Sequence, residues 1–485
     1  MSDIRNLEPK KVWDIFYDLT RIPRPSKKEK RVIDYVVNFG KVHKLETVVD
    51  KTGNVVIRKH ATKGMEKKKG VILQTHLDMV PQKNNDKKHD FEKDPIEAVV
   101  DGEWVRADGT TLGSDNGIGV AAALAVLASK DISHGPLEGL FTIDEETGMT
   151  GAFGLKKGLL KGEILMNLDS EDENEICVGC AGGIDISATK RYKEEPAPRS
   201  SVAYTVTAKG LKGGHSGVDI ALGRANSNKV LFRFLMQAES DFGIRLAEAS
   251  GGNLRNAIPR ESYAVILVPS AKTASFEKFV KNYEKMYRAE FAETEPDLSF
   301  FCRKTEKPPR VMNKKDQYGI IRAVFACPNG VQRMSQAMKG LVETSNNLAI
   351  VKCIRGKFEV HCLCRSAVDS SKEATAWKIA GIFHLIDAKV ALSGGYPGWK
   401  PNMASPVLKT TTQVYKKMFG KEPEVKAIHA GLECAIIGGV YPSLDMVSFG
   451  PTIKYPHSPD EKVNIKSVKK FYDFLCQTLK DVPAK

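Results

Sequence analysis

At 485 residues, with 42% hydrophobic and 27% charged side chains, the chain is longer than one core supports, so two or three domains are expected. The formal charge of +14 suggests nucleic-acid binding, but the lysines are mixed with acids and no nucleic-acid module signature occurs, which weighs against that class. No apolar run approaches the roughly 20 residues of a membrane span, and the amino-terminal segment lacks the apolar core of a secretory signal. Nine cysteines, an odd total, argue against a disulfide framework, so a cytoplasmic protein is predicted.

The first 185 or so residues alternate short apolar runs with helical patterns, which is typical of an α/β sheet with largely parallel strands. Four strands are predicted, at 54–57, 71–74, 137–143 and 164–167. Three helices are predicted, at 9–19, 28–39 and 117–129. The third helix is rich in alanine and follows the pair Asp115-Asn116, which suits a helix cap.

From about residue 200 the pattern changes to a series of β-α-β-β-α type that occurs twice, the second time starting near residue 298. No repeat of individual residues accompanies it. Two such ferredoxin-like units would form an inserted α+β domain. The last hundred residues return to α/β character. The sequence therefore predicts a discontinuous α/β domain, with a mostly parallel sheet and helices on both faces, at 1–190 and 389–485, interrupted by an insert at 191–388.

Residues that bind metals follow several of the predicted strands at the point where each strand ends. They are His76 and Asp78 after the second strand, 144–146 after the third, Asp169 after the fourth, and Asp115 in the turn before the alanine-rich helix. Each alone has an ordinary explanation, such as a helix cap or a solvated loop. Because ligands bind at the carboxyl ends of the strands in open α/β sheets, the residues jointly predict a metal site.

Mixed histidine and carboxylate ligands suit zinc, with manganese or cobalt as alternatives. Two divalent ions roughly 3.5–4 Å apart would hold both an attacking water, as a bridging hydroxide, and a carbonyl oxygen. One acid then has to stay off the ions and act as general base on that water. Glu145, adjacent to the candidate ligand Glu146, is placed for this role.

Motifs along nearly the whole chain resemble those of the co-catalytic zinc exopeptidases related to carboxypeptidase and aminoacylase, and within that family the dipeptidases. The matching segments are 75–80, 82–86, 113–117, 145–148, 167–170, 211–217, 254–260, 429–434 and 456–460. The resemblance implies that His76 and Asp169 hold one zinc ion, that Glu146 and His457 hold the other, and that Asp115 bridges the two.

The same resemblance implies roles for residues that do not bind the metals. Asp78 would orient His76, and Glu145 would be the general base. His215, in the insert, matches a histidine of the family's lid domain that steadies the carbonyl oxygen as it becomes tetrahedral. From the residues alone, the segment around His215 has the pattern of a glycine-rich turn.

Three further residues are candidates for binding the substrate. Asn256 belongs to the insert. Arg365 follows a predicted strand and would grip the free carboxylate with its planar guanidinium. Glu433 would receive the amino group, with a purely structural role as the alternative.

The resemblance implies a dipeptidase that cleaves unblocked dipeptides of many kinds, including Xaa-His dipeptides. An N-acyl amino-acid deacylase or a tripeptidase on the same scaffold is the alternative. A non-catalytic binding protein is disfavoured, because such a protein has no need of a free base beside metal ligands. The expected partners are small peptides, with neither nucleic acid nor membrane. A monomer and a homodimer formed through the insert remain alternatives.

Overall fold

A computed structural model describes residues 3–485. The first two residues, which belong to the amino-terminal segment predicted to lack a secretory signal, lie outside the described residues. The twelve α-helices are α1 Lys10–Thr20, α2 Lys30–Val42, α3 Ser114–Ala128, α4 Glu145–Gly148, α5 Thr150–Gly154, α6 Ser227–Phe242, α7 Thr273–Glu290, α8 Lys314–Ala326, α9 Asp369–His384, α10 Pro406–Phe419, α11 Glu433–Val440 and α12 Ile465–Asp481. Short 3₁₀ helices span Ile4–Asn6, Ile220–Leu222 and Ser270–Lys272. Among these residues, no helix combines the length and apolar character of a membrane span.

The strands within residues 3–485 are β1 Glu46–Val49, β2 Val55–Lys59, β3 Val71–His76, β4 Ala98–Asp101, β5 Trp104–Ala107, β6 Leu137–Thr142, β7 Ile164–Asn167, β8 Glu175–Cys180, β9 Gly182–Arg191, β10 Glu194–Pro196, β11 Ser201–Lys209, β12 Gly214–His215, β13 Arg245–Gly251, β14 Ala257–Ile258, β15 Ser262–Pro269, β16 Ser299–Lys304, β17 Arg310–Met312, β18 Gly330–Met334, β19 Val342–Ile354, β20 Lys357–Ser366, β21 Lys389–Tyr396, β22 Glu424–Ile428, β23 Asp445–Ser448, β24 Ile453–Lys454 and β25 Lys462–Asn464.

The chain forms two compact units. Unit 1 comprises Met1–Gly179, Pro401–Ala427 and Leu432–Lys485, and unit 2 comprises Cys180–Lys400 and Ile428–Gly431. These limits differ from the predicted insert, 191–388, by about one strand at each end. The reason is that β9 and β21, which flank the predicted insert, pair with each other in the sheet of unit 2.

The main sheet of unit 1 has eight strands in the order β1-β2-β6-β3-β7-β23-β8-β22. Its central strands β6, β3, β7 and β23 are parallel, whereas β1, β2 and β8 pair antiparallel with their neighbours. The predicted α/β class with a mostly parallel sheet is thus confirmed in the centre of the sheet. In β3, β6 and β7 every residue is buried, as expected for the middle of such a sheet. Their carboxyl ends lie at one edge, beside α3.

The main sheet of unit 2 runs β16-β11-β15-β13-β19-β20-β9-β21, with β18 also paired to β19. Each half of this path is a β-α-β-β-α-β unit: β11-α6-β13-β15-α7-β16, and β9-α8-β19-β20-α9-β21. The halves are of the ferredoxin-like type that the sequence predicts. The predicted start of the second unit near residue 298 is wrong, because that strand, β16, pairs with β11 of the first. The second unit begins with β9, and the whole first unit follows β9 in the chain.

Local signals explain where the helices of unit 2 begin and end. The side chain of Asn226 accepts hydrogen bonds from the backbone N–H groups of Asn228 and Lys229 and so starts α6. Gly243 ends it, with a φ of 69° that disfavours other residues. The helices bury apolar side chains such as Phe234 and Phe276, whose rings meet edge to face with centroids 6.0 Å apart.

Candidate active site

Four elements of unit 1 deliver the predicted metal ligands to the carboxyl edge of its sheet. His76 is the last residue of β3, and Glu146 lies in α4, just after β6. Asp169 follows β7 by two residues, and Asp115 lies in the first turn of α3. The parallel register pairs His76 with Thr142 and Gln74 with Asn167, so the three strands end at nearly the same level.

The ligand atoms form two groups that share one carboxylate. His76 Nε2 lies 3.1 Å from Asp115 Oδ1 and 3.4 Å from Asp169 Oδ1. His457 Nε2 lies 3.2 Å from the other oxygen of Asp115, Oδ2, and 3.0 Å from Glu146 Oε2. The candidate ligand atoms within each group lie within 4.8 Å of one another. Asp115 therefore faces both groups, one through each oxygen.

The nitrogen and oxygen atoms of the candidate ligands are arranged to bind cations rather than to form hydrogen bonds with one another. His76 Nδ1 lies 3.2 Å from the carbonyl oxygen of Asp78, a pure acceptor, so Nδ1 carries the proton. In the neutral imidazole, which is the form that binds a metal ion, the lone pair of Nε2 would point at two carboxylates. Glu146 Oε1 and Asp169 Oδ1 are buried and accept no hydrogen bond from residues 3–485. Such buried acceptors are costly unless a cation lies among them, so these residues are candidate ligands of two metal ions.

The pKa values show how the groups depend on one another. Burial raises the pKa of Asp169 to about 6. Burial would also raise the pKa of Asp115, but hydrogen bonds to His457 and His76 hold it below its usual value. Hydrogen bonds to Asp115 and Glu146 raise the pKa of His457 to about 11. Near neutral pH the raised pKa of His457 keeps a proton on its imidazole, and a metal ion that binds His457 would release this proton.

Asp78 is fully buried and orients both His76 and the segment that carries the two glutamates. It accepts hydrogen bonds from the Ser26 hydroxyl at 2.8 Å and from the backbone N–H groups of Glu145 and Glu146 at 3.0 and 3.2 Å. Burial opposes ionisation, but His76 and these donors hold the pKa of Asp78 at about 2. The carboxylate is therefore charged and fixed, as expected of a group that orients a metal-binding histidine.

Glu145 is partly buried beside His76 and Glu146, within 4.8 Å of their ligand atoms. Burial raises its pKa well above the usual value, and the nearby Asp169, Glu433 and Glu146 raise it further. A carboxyl group with a raised pKa next to a metal site is suited to accepting and returning a proton near neutral pH.

Two buried residues that no sequence pattern indicated hold the turn around Asp115. The carboxylate of Glu461 accepts hydrogen bonds from the backbone N–H groups of residues 112–115 and from the Ser114 hydroxyl, at 2.6–3.3 Å. Arg24 donates to the carbonyl oxygens of Leu77, at 2.9 Å, and of Gly113. Asp115 and Asn116 have non-helical backbone angles, so the regular part of α3 begins after this pair, as the sequence predicts. The side chain that accepts the N–H groups of the preceding turn is Glu461 rather than Asp115 or Asn116.

Glu433, at the start of α11, is 2% exposed and belongs to a buried hydrogen-bonded chain. Its Oε2 accepts from Gln74 Nε2 at 2.7 Å and from the Thr142 hydroxyl at 2.6 Å, and Gln74 Oε1 accepts from Asn167 Nδ2 at 2.6 Å. Its Oε1 is buried and accepts no hydrogen bond from the described part of the chain. Burial raises the pKa of Glu433 to about 8, so a cationic ligand at Oε1 would favour its ionised form.

The other predicted substrate-binding residues lie in unit 2. His215 pairs with Ala257 in the two-stranded sheet β12-β14, next to the exposed Asn256. His215 Nδ1 accepts from the N–H groups of Gly217 and Val218 at 3.2 and 3.1 Å, which leaves the Nε2 proton free to donate. Burial lowers the pKa of His215, and the nearby Arg365 lowers it further, so its imidazole is neutral.

A chelating agent is expected to lower the melting temperature of unit 1 and leave that of unit 2 unchanged, because all five candidate ligands belong to unit 1. At a free metal concentration of 100 Kd, each filled site stabilises the folded state by about 2.7 kcal/mol. Differential scanning calorimetry before and after dialysis against chelator, followed by addition of zinc, measures this. An equal shift of both transitions would contradict the assignment.

The fold and the site together define a metal-dependent hydrolase with candidate positions for two ions. The model of Peptidase family M20/M25/M40 matches residues 72–481. The chain is 46% identical over 485 residues to the Cytosol non-specific dipeptidase of Escherichia coli (strain K12), covering 100% of both proteins. The chain therefore belongs to Peptidase family M20/M25/M40 and is a metallopeptidase. The exopeptidase resemblance predicted from its motifs is confirmed.

Solved structures agree with this assignment. The crystal structure of Aminoacylhistidine Dipeptidase from Vibrio alginolyticus matches with a TM-score of 0.96 and 47% identity, covering 100% of this chain and 99% of that one. A tripeptidase from Staphylococcus aureus matches with a TM-score of 0.56 and 15% identity, covering 98% and 99% of the two chains. The second likeness is one of fold alone.

Proposed function

We propose that the protein is a zinc-dependent dipeptidase that cleaves unblocked dipeptides of broad sequence, including Xaa-His dipeptides. The observation that carries this proposal is the pair of ligand groups sharing Asp115, in a chain similar over its full length to a cytosol non-specific dipeptidase. That similarity favours a dipeptidase over the deacylase and tripeptidase alternatives. Manganese and cobalt are the alternative metals for the same ligands.

His76 and Asp169 would hold one ion, Glu146 and His457 the other, and Asp115 both. When bound, the ions would activate a water molecule and polarise the peptide carbonyl. Asp78 would keep the His76 ring in place through Nδ1, at 3.4 Å from Asp78 Oδ1. Three carboxylates and two neutral imidazoles carry a charge of −3, so two divalent ions would leave the site able to bind one further anion.

Glu145 would take a proton from the attacking water and pass it to the leaving amino group. Its raised pKa matches this double role, because the carboxyl group can hold the proton between the two transfers. His215 would donate its Nε2 proton to the substrate's carbonyl oxygen as negative charge develops there. A neutral imidazole with Nδ1 already occupied as an acceptor can act only as a donor at Nε2.

Two buried charged groups would recognise the two ends of a dipeptide. Arg365 is 6% exposed and forms no ion pair with a carboxylate among residues 3–485, so an anionic ligand would compensate it. Glu433, with its unbonded Oε1, would receive the substrate's ammonium group. Asn256, beside His215, would contact the substrate backbone. Recognition of both free ends would exclude N-acetylated and longer peptides.

We also propose a cytoplasmic location, supported by the full-length similarity to the Cytosol non-specific dipeptidase of Escherichia coli. The oligomeric state is still a prediction, with a monomer and a homodimer formed through unit 2 as the alternatives. Size-exclusion chromatography with light scattering distinguishes the two states.

The test of the proposed function is hydrolysis of four substrates by the zinc-loaded protein: a free dipeptide, its N-acetylated form, a tripeptide and carnosine. Cleavage that is confined to the free dipeptides and stops with chelator is the expected result. Cleavage of the acetylated form would indicate a deacylase, and preference for the tripeptide would indicate a tripeptidase. No cleavage with zinc, manganese or cobalt would favour a binding protein. Glu145→Gln serves as the inactive control.

A further inference from the structure

The guanidinium of Arg365, on β20, has at least one N–H group that forms no hydrogen bond with the described residues. Its Nη1 donates to the hydroxyl oxygen of Tyr396 at 3.0 Å. Its Nε is buried and donates to no atom of the described residues. Because a buried cation is stable only when its hydrogens and its charge are compensated, Arg365 is prepared for an anionic ligand. Because Nη1 already donates to Tyr396, an anion bound by Arg365 would lie next to the Tyr396 hydroxyl.

The hydroxyl of Tyr396 is a donor without an acceptor. Its oxygen accepts the bond from Arg365, and its own proton has no acceptor among residues 3–485. Burial raises the pKa of Tyr396 more than the nearby Arg365 lowers it, so the hydroxyl keeps its proton. A guanidinium and a neutral hydroxyl donor are thus joined by one hydrogen bond, and each has an unused N–H or O–H group.

Glycines pack closely against both groups, and at Gly217 a Cβ would also come within 2.2 Å of the carbonyl oxygen of His429. A Cβ at Gly217 would lie 3.3 Å from Arg365 Nε, and a Cβ at Gly431 would lie 3.0 Å from the hydroxyl oxygen of Tyr396. The ring of Tyr396 also lies on Gly183, where a Cβ would come within 2.6 Å of it. The Gly217 position is also 3.1 Å from the His215 ring. Arg365 therefore lies beside the histidine proposed to steady the carbonyl oxygen, and Tyr396 is joined to Arg365 by their hydrogen bond.

We propose that Tyr396 is a further substrate-binding residue, whose hydroxyl donates a hydrogen bond to the carboxyl-terminal carboxylate of the dipeptide while Arg365 neutralises its charge. This inference rests on the proposed function. A carboxylate offers about four lone-pair positions, more than one guanidinium uses. The hydroxyl would satisfy one of them. Because its hydrogen bond to a charged oxygen is stronger than one to a neutral oxygen, it would favour a free acid over an amide or ester, which carry no negative charge.

The test compares wild type with Tyr396→Phe on a dipeptide and on the same dipeptide with a carboxyl-terminal amide. For the free acid, kcat/KM is expected to fall about 10- to 100-fold, mostly through KM, because a hydrogen bond to a charged group is lost. The slow hydrolysis of the amide is expected to stay unchanged. Tyr192→Phe is the matched control, since the Tyr192 hydroxyl, also buried in unit 2, makes no hydrogen bond with the described residues.

An equal loss on acid and amide, or a loss in kcat alone, would overturn the role of Tyr396. Wild-type preference for the acid that persists undiminished in Tyr396→Phe would overturn it as well, while leaving the proposed function intact. If the wild type cleaves neither dipeptide, the proposed function itself fails. Gly431→Ala is the second variant: its methyl group would crowd the Tyr396 hydroxyl and is expected to raise KM for the acid in the same selective way.

Discussion

Replacement of Glu145 by glutamine is expected to lower kcat by about 10²- to 10⁴-fold while both metal positions still fill. Glutamine keeps the size of the side chain but cannot accept a proton at neutral pH. The backbone N–H of residue 145 would still donate to Asp78, so the local structure should persist. Steady-state kinetics on a free dipeptide, with metal content measured by plasma mass spectrometry on the same sample, test this expectation.

Asp115→Ala is the contrasting variant. Asp115 faces both ligand groups, so its removal is expected to lower the metal content as well as the activity. If Glu145→Gln loses as much metal as Asp115→Ala, then Glu145 is a ligand and the division of labour between Glu145 and Glu146 is wrong. Unchanged kcat in Glu145→Gln would exclude its role as general base.

Glu461→Ala is expected to weaken metal binding about 10- to 100-fold, although the Glu461 carboxylate contacts the candidate ligand Asp115 only at its backbone N–H. Loss of this carboxylate leaves four buried N–H groups in the turn that carries Asp115 without their acceptor. The turn would loosen, and unit 1 would lose about 3–5 kcal/mol of stability. Competition against a fluorescent chelator measures the affinity, and calorimetry measures the stability.

Glu138→Ala is the matched control for Glu461→Ala. Glu138 is 4% exposed and accepts from the N–H groups of Lys161 and Gly162, both at 2.7 Å, at the amino-terminal end of β6, away from the ligand edge. Its loss should destabilise unit 1 without changing metal affinity. Equal affinity losses in the two variants would show that general instability, rather than the Asp115 turn, controls metal binding.

The sequence predicts the edge of the sheet that carries the ligands, because a buried parallel strand is a continuous apolar run whose end is visible. His76 ends such a run, Asp169 follows one by two residues, and Glu146 follows one by four. Glu461 and Arg24 carry no such signal. Their partners are backbone groups about 350 and 50–90 residues away, and only the folded chain brings them together.

The topology of unit 2 was less predictable for a related reason. The pattern of β13, Arg245–Gly251, is weak, and the strand forms because β15 and β19 bind both its edges. β9 follows β8 after a single residue, so the sequence gives no signal that β9 belongs to a different unit from the strands before it. Tyr396 also lacks a motif, because its role depends on a hydrogen bond to Arg365 on another strand.

The position of β23 has a consequence for biosynthesis. β7 and β8 lie near each other in the chain, but the strand that pairs with both in the sheet is made only at residues 445–448. During translation, the edges of β7 and β8 that pair with β23 would stay unpaired while unit 2 is synthesised. This interval lasts on the order of ten seconds or more. The nascent chain therefore needs protection from aggregation during this interval. Because the proposed ligand His457 is made later still, no peptidase activity would arise before residue 457 has been synthesised.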